Sequence, residues 1–444
     1  MTTSTENPWR WTPTIYFGTG TAQAAIATLA LLLYKQLGLG NAEITLYTGC
    51  LFLPWLLRPL WSPFLGLIRA PRWWIVAMQL MLGVALGGVA FTIPTAHWLQ
   101  GTLFFLGLLA FVLAIHETEA DVFYRDTVAR TTRSGLSGMP GTFRLLAFIF
   151  VQGFLVMVAG NLQLLYRNSI SLSWSLIFYS VAGIFILSWL WHRTSLPSPY
   201  NEAIHLLRRQ QRREQFAERS LEVKKDTLSL FTQHSRWQLA AVLFFTLFFL
   251  LPEALTSKVV MLFLVDANHN GGLGLSPQEF GLAYGTVGVV GLITGSLLGK
   301  GLIINKGLRT CILPLSVAIL LPNALYMVLS ETLPTSLGLI NICIFVCQMG
   351  LGLSLSVCWE TVKNLGKTMG NHTTFMFFTS VLALGQMLPS MFSGALQEWL
   401  GYNNLFFVAL TCGILSLVGC VWIRPMLQKR GNDDAENNKN IDFF

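Results

Sequence analysis

Long apolar stretches alternate with short polar breaks along almost the whole chain. The hydrocarbon core of a bilayer needs about 20 apolar residues per helix. By that measure the hydropathy pattern predicts twelve spanning helices. They fall near 12–35, 44–67, 73–94, 99–122, 141–165 and 170–192, then near 237–265, 278–303, 308–330, 335–358, 372–396 and 402–424. The stretch from Arg193 to Arg236 is the one long polar insertion, and it divides the spans six and six. The expected organisation is an N-terminal six-helix bundle over 1–192, a cytoplasmic linker over 193–236, a C-terminal six-helix bundle over 237–424 and a cytoplasmic tail over 425–444. The fold class is an all-α membrane protein built of two pseudo-symmetric halves. The linker centre, Ala203 to Arg213, reads either as an amphipathic helix on anionic lipid or as a solvated connector. His205 and His234 there have no partner pattern and read as ordinary polar residues.

Composition agrees with the pattern. The chain has 444 residues, 53% hydrophobic and only 11% charged, against about 25% charged in a soluble domain. The net charge of +8 is no nucleic-acid signature, because the basic residues sit in short loops. Arg69 and Arg72 lie between spans two and three. Arg125, Arg130 and Arg133 follow span four, Lys300, Lys306 and Arg309 follow span eight, and Lys363 and Lys367 follow span ten. The opposite side shows Lys35 and Arg167. That asymmetry predicts an inner-membrane protein with both termini in the cytoplasm. Met1 to Arg10 is polar and no small-residue cleavage site follows, so no cleavable signal peptide is expected. The seven cysteines include no CxxC pair. They read as small packing residues, Cys343 and Cys347 on one helix face, with no metal site, cofactor or disulfide framework expected.

Against this background the run Ile115-His116-Glu117-Thr118-Glu119-Ala120-Asp121 stands out. Lipid makes an unpaired charge costly, by roughly 2.5–3.5 kcal/mol on insertion scales, so such groups are paired or face a wet cavity. Successive helix residues turn by about 100°, which puts Glu117, Asp121 and Arg125 on one stripe. Asp121 is expected to pair with Arg125 or Arg144. Arg125, Asp126, Arg144 and, at the end of span ten, Glu360 beside Lys363 read as a cytoplasmic gate or cap. Glu117 lies deeper, balanced between structural pairing and function. His116 is expected to be a packing histidine.

Span two carries Trp55, Arg58 and Trp61 at i, i+3, i+6, among prolines 54, 59 and 63 that should kink the helix and free carbonyls. An Arg between indoles suits an anionic or sugar-like solute. Arg58 is also the expected partner of Glu117 or Asp121, at another stage of a cycle. Span seven carries Glu253 after Pro252, with Ser257 and Lys258 further along. A carboxyl withdrawn from water holds its proton more readily, which suits a proton carrier. Glu253 and Lys258 point over about 100° apart at i, i+5, and Lys258 has Asp266 as a further candidate partner. Gln23, Gln152, Gln348 and Gln386 are single amides in apolar spans, read as interhelical hydrogen bonds or together as a polar cavity lining. Gly281, Gly285, Gly288 and Gly291 read as helix packing. Arg58, Glu117 and Glu253 are expected to converge on one watery chamber between the halves.

Six plus six spans with a basic linker resembles the major facilitator superfamily, in which two halves rock around a midplane site. The superfamily's glycine-rich loop is echoed by Gly295-Ser296-Leu297-Leu298-Gly299-Lys300, followed by Asn305-Lys306-Gly307-Leu308-Arg309; its counterpart at Gly66 to Arg72 lacks the acid. Leu57-Arg58-Pro59-Leu60-Trp61-Ser62-Pro63 resembles the basic-x-x-Trp-x-Pro segment of muropeptide permeases, in the peptide, acetyl-coenzyme A and drug transporter branch, with Arg58 where Lys is usual. Glu117-x-x-x-Asp121-x-x-x-x-Asp126 is similar to that group's span-four ending, with Glu117 in place of Asp. Pro252-Glu253-Ala254 looks like its Gly-Asp-Ala, and Gly274-Leu275-Ser276-x-x-Glu279-Phe280-Gly281 looks like its entry to span eight. The resemblance runs from about residue 12 to 424. It implies a monomeric proton symporter that imports a muropeptide, amino sugar or oligosaccharide by alternating access. Glu253, Glu117 and Asp121 would carry the proton. Arg58, Trp55, Trp61, the four glutamines and Lys258 would meet the solute. A siderophore or metallophore importer and a multidrug exporter share the fold. A polytopic enzyme is the alternative of another class, with His116 and Asp121 as its weak catalytic pair; no Walker loop or nucleophile elbow is present.

Overall fold

The computed structural model describes residues 8–128, 139–197, 235–369 and 372–427. Backbone in hydrocarbon must satisfy its own hydrogen bonds, and these apolar stretches do so as helices. The first half holds α1 (Thr12–Gln36), α2 (41–68), α3 (Pro71–Thr92), α4 (Trp98–Val128), α5 (Met139–Leu165) and α6 (Ile170–Ser195). The second half holds α7 (Arg236–Val265), α8 (Pro277–Lys306), α9 (Leu308–Thr332), α10 (Leu337–Met369), α11 (His372–Leu400) and α12 (Tyr402–Ile423). Ten of these are long and apolar enough to cross a membrane; α2 and α11 complete the up-and-down run. The chain is a multi-pass membrane protein. The linker segment Ala203 to Arg213, His205, His234, Arg130, Arg133 and the side chain of Asp126 lie outside the described residues.

Two helices differ from the hydropathy pattern. Both α4 and α10 run well past their apolar parts. Glu360 and Lys363 therefore do not end α10. They form an i, i+3 ion pair (3.1 Å) within its last third. Hydropathy marks where lipid stops, whereas the helix continues into water on intrahelical pairs.

Span two is broken rather than kinked. It consists of Asn41–Cys50, Leu53–Leu56 and Arg58–Ile68, with Pro54 and Pro59 each in the first turn of a new segment. Proline lacks an N–H and its fixed φ suits a first turn, so it restarts a helix at little cost. The Trp61 indole donates to the Pro54 carbonyl (3.0 Å), stapling the segments across the break. A similar break at Phe249 and Leu250 divides α7, and Leu251–Val265 restarts with Pro252 in its first turn.

The halves meet along two seams. In one, α11 packs on the first segment of α2: a side chain at Gly394 would strike the Asn41 carbonyl, and one at Gly49 would strike Met391. In the other, α5 and α8 cross through wide π-helical turns at Ile149–Leu155 and Gly281–Gly288. Here Gly285 lies against the Gln152 backbone and Gly153 lies against Thr286. A third π-helical turn, Ala25–Leu29 in α1, joins them: Thr28 accepts from Gln152 (2.7 Å) and donates to the Met261 sulfur (3.7 Å). So only part of the α8 glycine stripe packs within its own half. Gly291 meets α10 at Phe345, while Gly281 and Gly285 face the other half.

Candidate functional site

The first cluster lies inside the N-terminal half. On α4, Glu117 and Asp121 share a face at i, i+4, and both reach Arg144 of α5. Arg144 Nη1 is 3.2 Å from Glu117 Oε1, and Nη2 is 3.2 Å from Asp121 Oδ1. The other Glu117 oxygen accepts from the Trp55 indole at 2.7 Å. Tyr16 donates its hydroxyl to Asp121 Oδ1 (3.1 Å), and the guanidinium lies 5.1 Å from the Tyr16 ring centre. The backbones of α1 and α5 approach closely because position 20 is glycine; a Cβ there would sit 2.7 Å from the Arg144 carbonyl.

This corrects the expected pairing. Arg144, read as a gate residue, is the partner of both acids, and Arg58 makes no ion pair among the described residues. Its charge still acts on Glu117 and Asp121 through space. Arg58 begins the third segment of α2, beyond a break, and its reach is set by that break. Trp55 and Trp61 both spend their N–H groups within the protein, on Glu117 and on Pro54. Arg125 is exposed and donates from Nε to the Asp121 carbonyl (3.3 Å), a contact within its own helix. His116 is fully buried with both ring nitrogens unbonded, and Asp121 is taken by Arg144 and Tyr16. No His116–Asp121 catalytic pair exists in this arrangement.

The second cluster lies in the C-terminal half. Glu253 stands in the first turn of Leu251–Val265, where a helix N-terminus favours negative charge. It lines a small cavity with Ser257 on the same helix, Tyr284 of α8, Tyr326 of α9 and Cys347 and Gln348 of α10. Among the described residues Glu253 has no ion pair or hydrogen bond. The Tyr326 hydroxyl, on a residue 3% exposed, has no hydrogen-bond partner either. The described residues lining this cavity all belong to the C-terminal half. Arg58 and Glu117 stand in the N-terminal half, and Glu253 lines this cavity in the C-terminal half. Of the four glutamines, Gln348 is at the cavity, Gln152 is in the α5–α8 seam, and Gln23 and Gln386 are half-buried without a hydrogen bond among the described residues.

Lys258 does not pair with Asp266. Its amine is buried at the α2–α11 seam, where it donates to the Thr45 carbonyl (3.2 Å) and lies 5.9 Å from the Phe52 ring centre. Asp266 instead pairs with Lys35 of α1 at 3.0 Å. Tyr402 donates to Asp266 Oδ2 (2.6 Å), and Asn41 Nδ2 lies within 3.2 Å of that oxygen and 2.7 Å of Gln397 Oε1. Burial alone would push the Asp266 carboxyl up, but hydrogen bonds from Tyr402, Lys35 and Asn41 outweigh it and hold the group below the usual carboxylate range. Five residues from α1, α2, the end of α7, α11 and α12 thus tie the halves together at the end opposite the termini. Single-residue reading missed this latch. Lys35 reads as a loop charge and Asp266 as a candidate partner of Lys258, whereas the ion pair joins Lys35 to Asp266 across the two halves.

No family model matches the chain. Solved structures do. A bacterial homologue of the human lysosomal transporter Spinster, in an inward-facing and occupied conformation, matches with a TM-score of 0.67 at 14% identity, over 95% of this chain and 98% of that one. A proton-dependent oligopeptide transporter structure matches with a TM-score of 0.64 at 15% identity, over 95% and 100%. A D-xylose–proton symporter matches with 0.62 at 13% identity, over 95% and 97%. At these identities the likeness is one of architecture, and it covers nearly the whole of both chains. The protein has the major facilitator fold.

Proposed function

We propose that the chain is a secondary active transporter that moves a small polar solute across the inner membrane by alternating access, coupled to protons. One observation carries the reading: Glu253, a carboxylate on a membrane-spanning helix with no counter-ion among the described residues, faces a cavity between helices. Such a group is costly in lipid unless function keeps it. The Glu117–Arg144–Asp121 cluster in the other half supplies a second group whose charge balance a proton changes. In the proposed cycle the outward-facing protein takes a proton on Glu253, Glu117 or Asp121 and then the solute; release inside restores the ion pairs. On the loop charges, which favour cytoplasmic termini, we read the conformation latched at the end away from the termini as the inward-facing stage. The solute class is a muropeptide, amino sugar or oligosaccharide, and the working unit is a monomer. The transporters of like fold named above include proton-coupled ones, which supports the coupling.

The test is uptake by proteoliposomes under an imposed pH gradient, with candidate solutes first found by thermal shift. Glu253→Gln and Glu117→Gln are expected to abolish gradient-driven accumulation while leaving solute counterflow measurable. Undiminished accumulation in both variants would remove the proposed coupling.

A further inference from the structure

We infer that the cavity around Glu253 is a subsite for an ammonium group carried by the solute. The inference rests on the transporter reading and narrows its substrate class to amine-bearing polar solutes, as against neutral sugars and fully acylated ones. Three observations point the same way. The Glu253 carboxylate has no cationic partner among the described residues, although Lys258 lies five positions along the same helix; that amine is turned into the α2–α11 seam, on the Thr45 carbonyl. The cavity brings hydrogen-bonding groups to the acid: Ser257, Gln348 and the Tyr326 hydroxyl, which is buried and unbonded. Two of its walls are the phenol rings of Tyr284 and Tyr326, fixed by contacts with Phe280 (5.4 Å between ring centres) and Phe406 (5.7 Å).

A carboxylate flanked by aromatic rings is the arrangement that holds an organic cation. The acid supplies charge-assisted hydrogen bonds and the ring faces supply cation–π attraction. An ammonium group has three donors and no acceptor, so it suits Glu253, the Gln348 carbonyl and a tyrosine oxygen together. An N-acetyl group in the same place offers a single N–H and a bulky carbonyl, and it leaves the acid without a counter-charge. The N-terminal half shows the contrast. There Glu117 and Asp121 already share Arg144, so neither of these two acids is left to receive a solute cation. The binding of an amine to Glu253 and the binding of a proton to it exclude one another, so for an amine-bearing solute the co-transported proton rides on Glu117 or Asp121. The acid that recognises the solute would thereby also sense whether the site is protonated.

The experiment uses the purified full-length protein and matched pairs of probes: glucosamine with N-acetylglucosamine, D-alanyl-D-alanine with its N-acetyl derivative, and tyramine with N-acetyltyramine. Binding is read by thermal shift and by competition. At least one free amine is expected to bind, with its acetylated partner weaker by about tenfold or more, the least that a lost charge-assisted hydrogen bond costs. Glu253→Gln is expected to erase that preference at an unchanged melting temperature. Tyr326→Phe is expected to weaken amine binding several-fold while keeping the preference. Equal binding within every pair, a preference that survives Glu253→Gln, or no binding by any free amine would overturn the subsite. Gradient-driven uptake of an acetylated or neutral member without amine preference would leave the transporter reading standing and remove this one. Amine binding without any gradient response would do the reverse.

Discussion

Arg144 carries two carboxylates on one guanidinium, so its replacement leaves both without their main counter-charge. Breaking a buried ion pair by removing one partner costs about 3–5 kcal/mol, because the remaining charge is stranded. Arg144→Gln is therefore expected to lower the unfolding free energy in detergent by an amount of that order, with a lower melting temperature, and a triple variant that adds Glu117→Gln and Asp121→Asn should recover part of the loss. Melting curves on the variants check both statements. Trp55→Phe keeps an aromatic ring, though a smaller one, and deletes one hydrogen bond to a charged oxygen, for an expected loss of about 1.5–3 kcal/mol. The helical spacing made the Glu117–Asp121 stripe legible in the sequence. It also named Arg144 as a candidate for Asp121, but it could not choose between Arg58 and Arg144 for Glu117. That choice depends on where α2 breaks and how near α1 and α5 come, which is set by Gly20. Tyr16 stayed hidden because a tyrosine in an apolar stretch has the look of ordinary packing.

At the scale of elements, glycine at the crossing points decides how closely the halves shut. Gly394 stands where any side chain would meet the Asn41 backbone and the Thr45 hydroxyl, and its N–H donates to that hydroxyl at 3.0 Å. Gly394→Val is expected to disfavour the state latched at this end without unfolding either half. Distances between spin labels on α2 and α11 should lengthen, and the melting temperature should change by a few degrees at most. Shortened or unchanged distances would contradict this account of the seam. The prolines of span two were visible in the sequence, but their effect was not: a proline kinks a helix that continues and opens one that restarts, and neighbouring contacts such as Trp61 with Pro54 settle which occurs. The same limit applied to the α8 glycines, whose spacing announces close contact without saying with which helix.

For the molecule as a whole, the Lys35–Asp266–Asn41–Gln397–Tyr402 latch ties the two halves together at one end. A carboxyl held below its ordinary value contributes stability that is present above the unfolded value, near 3.9, and is lost as pH falls through the folded one. The latch is thus expected to hold at neutral pH and to loosen only below about pH 4. Asp266→Asn should show the loosened distances already at pH 7 and lose that acid response; spin-label distances across α1 and α7 as a function of pH test it. Most of the spans were legible because hydropathy marks them; ten of the described helices are long and apolar enough to cross a membrane, while the broken α2 and α11 are not. The conformational state was not, because one sequence serves every stage of a cycle whose states differ by only a few kcal/mol. The π-helical turn in α5 has a consequence of its own. It lies between Arg144 and the residues that face α8 beyond it, and each helical residue advances the chain by about 100°. The wide turn is thus a phase setting: deleting one residue within Ile149–Leu155 would tighten it to an ordinary turn and rotate Arg144 away from its acids relative to the seam. Evolution could therefore re-aim the charge cluster by a single-codon deletion, without altering any side chain that belongs to it.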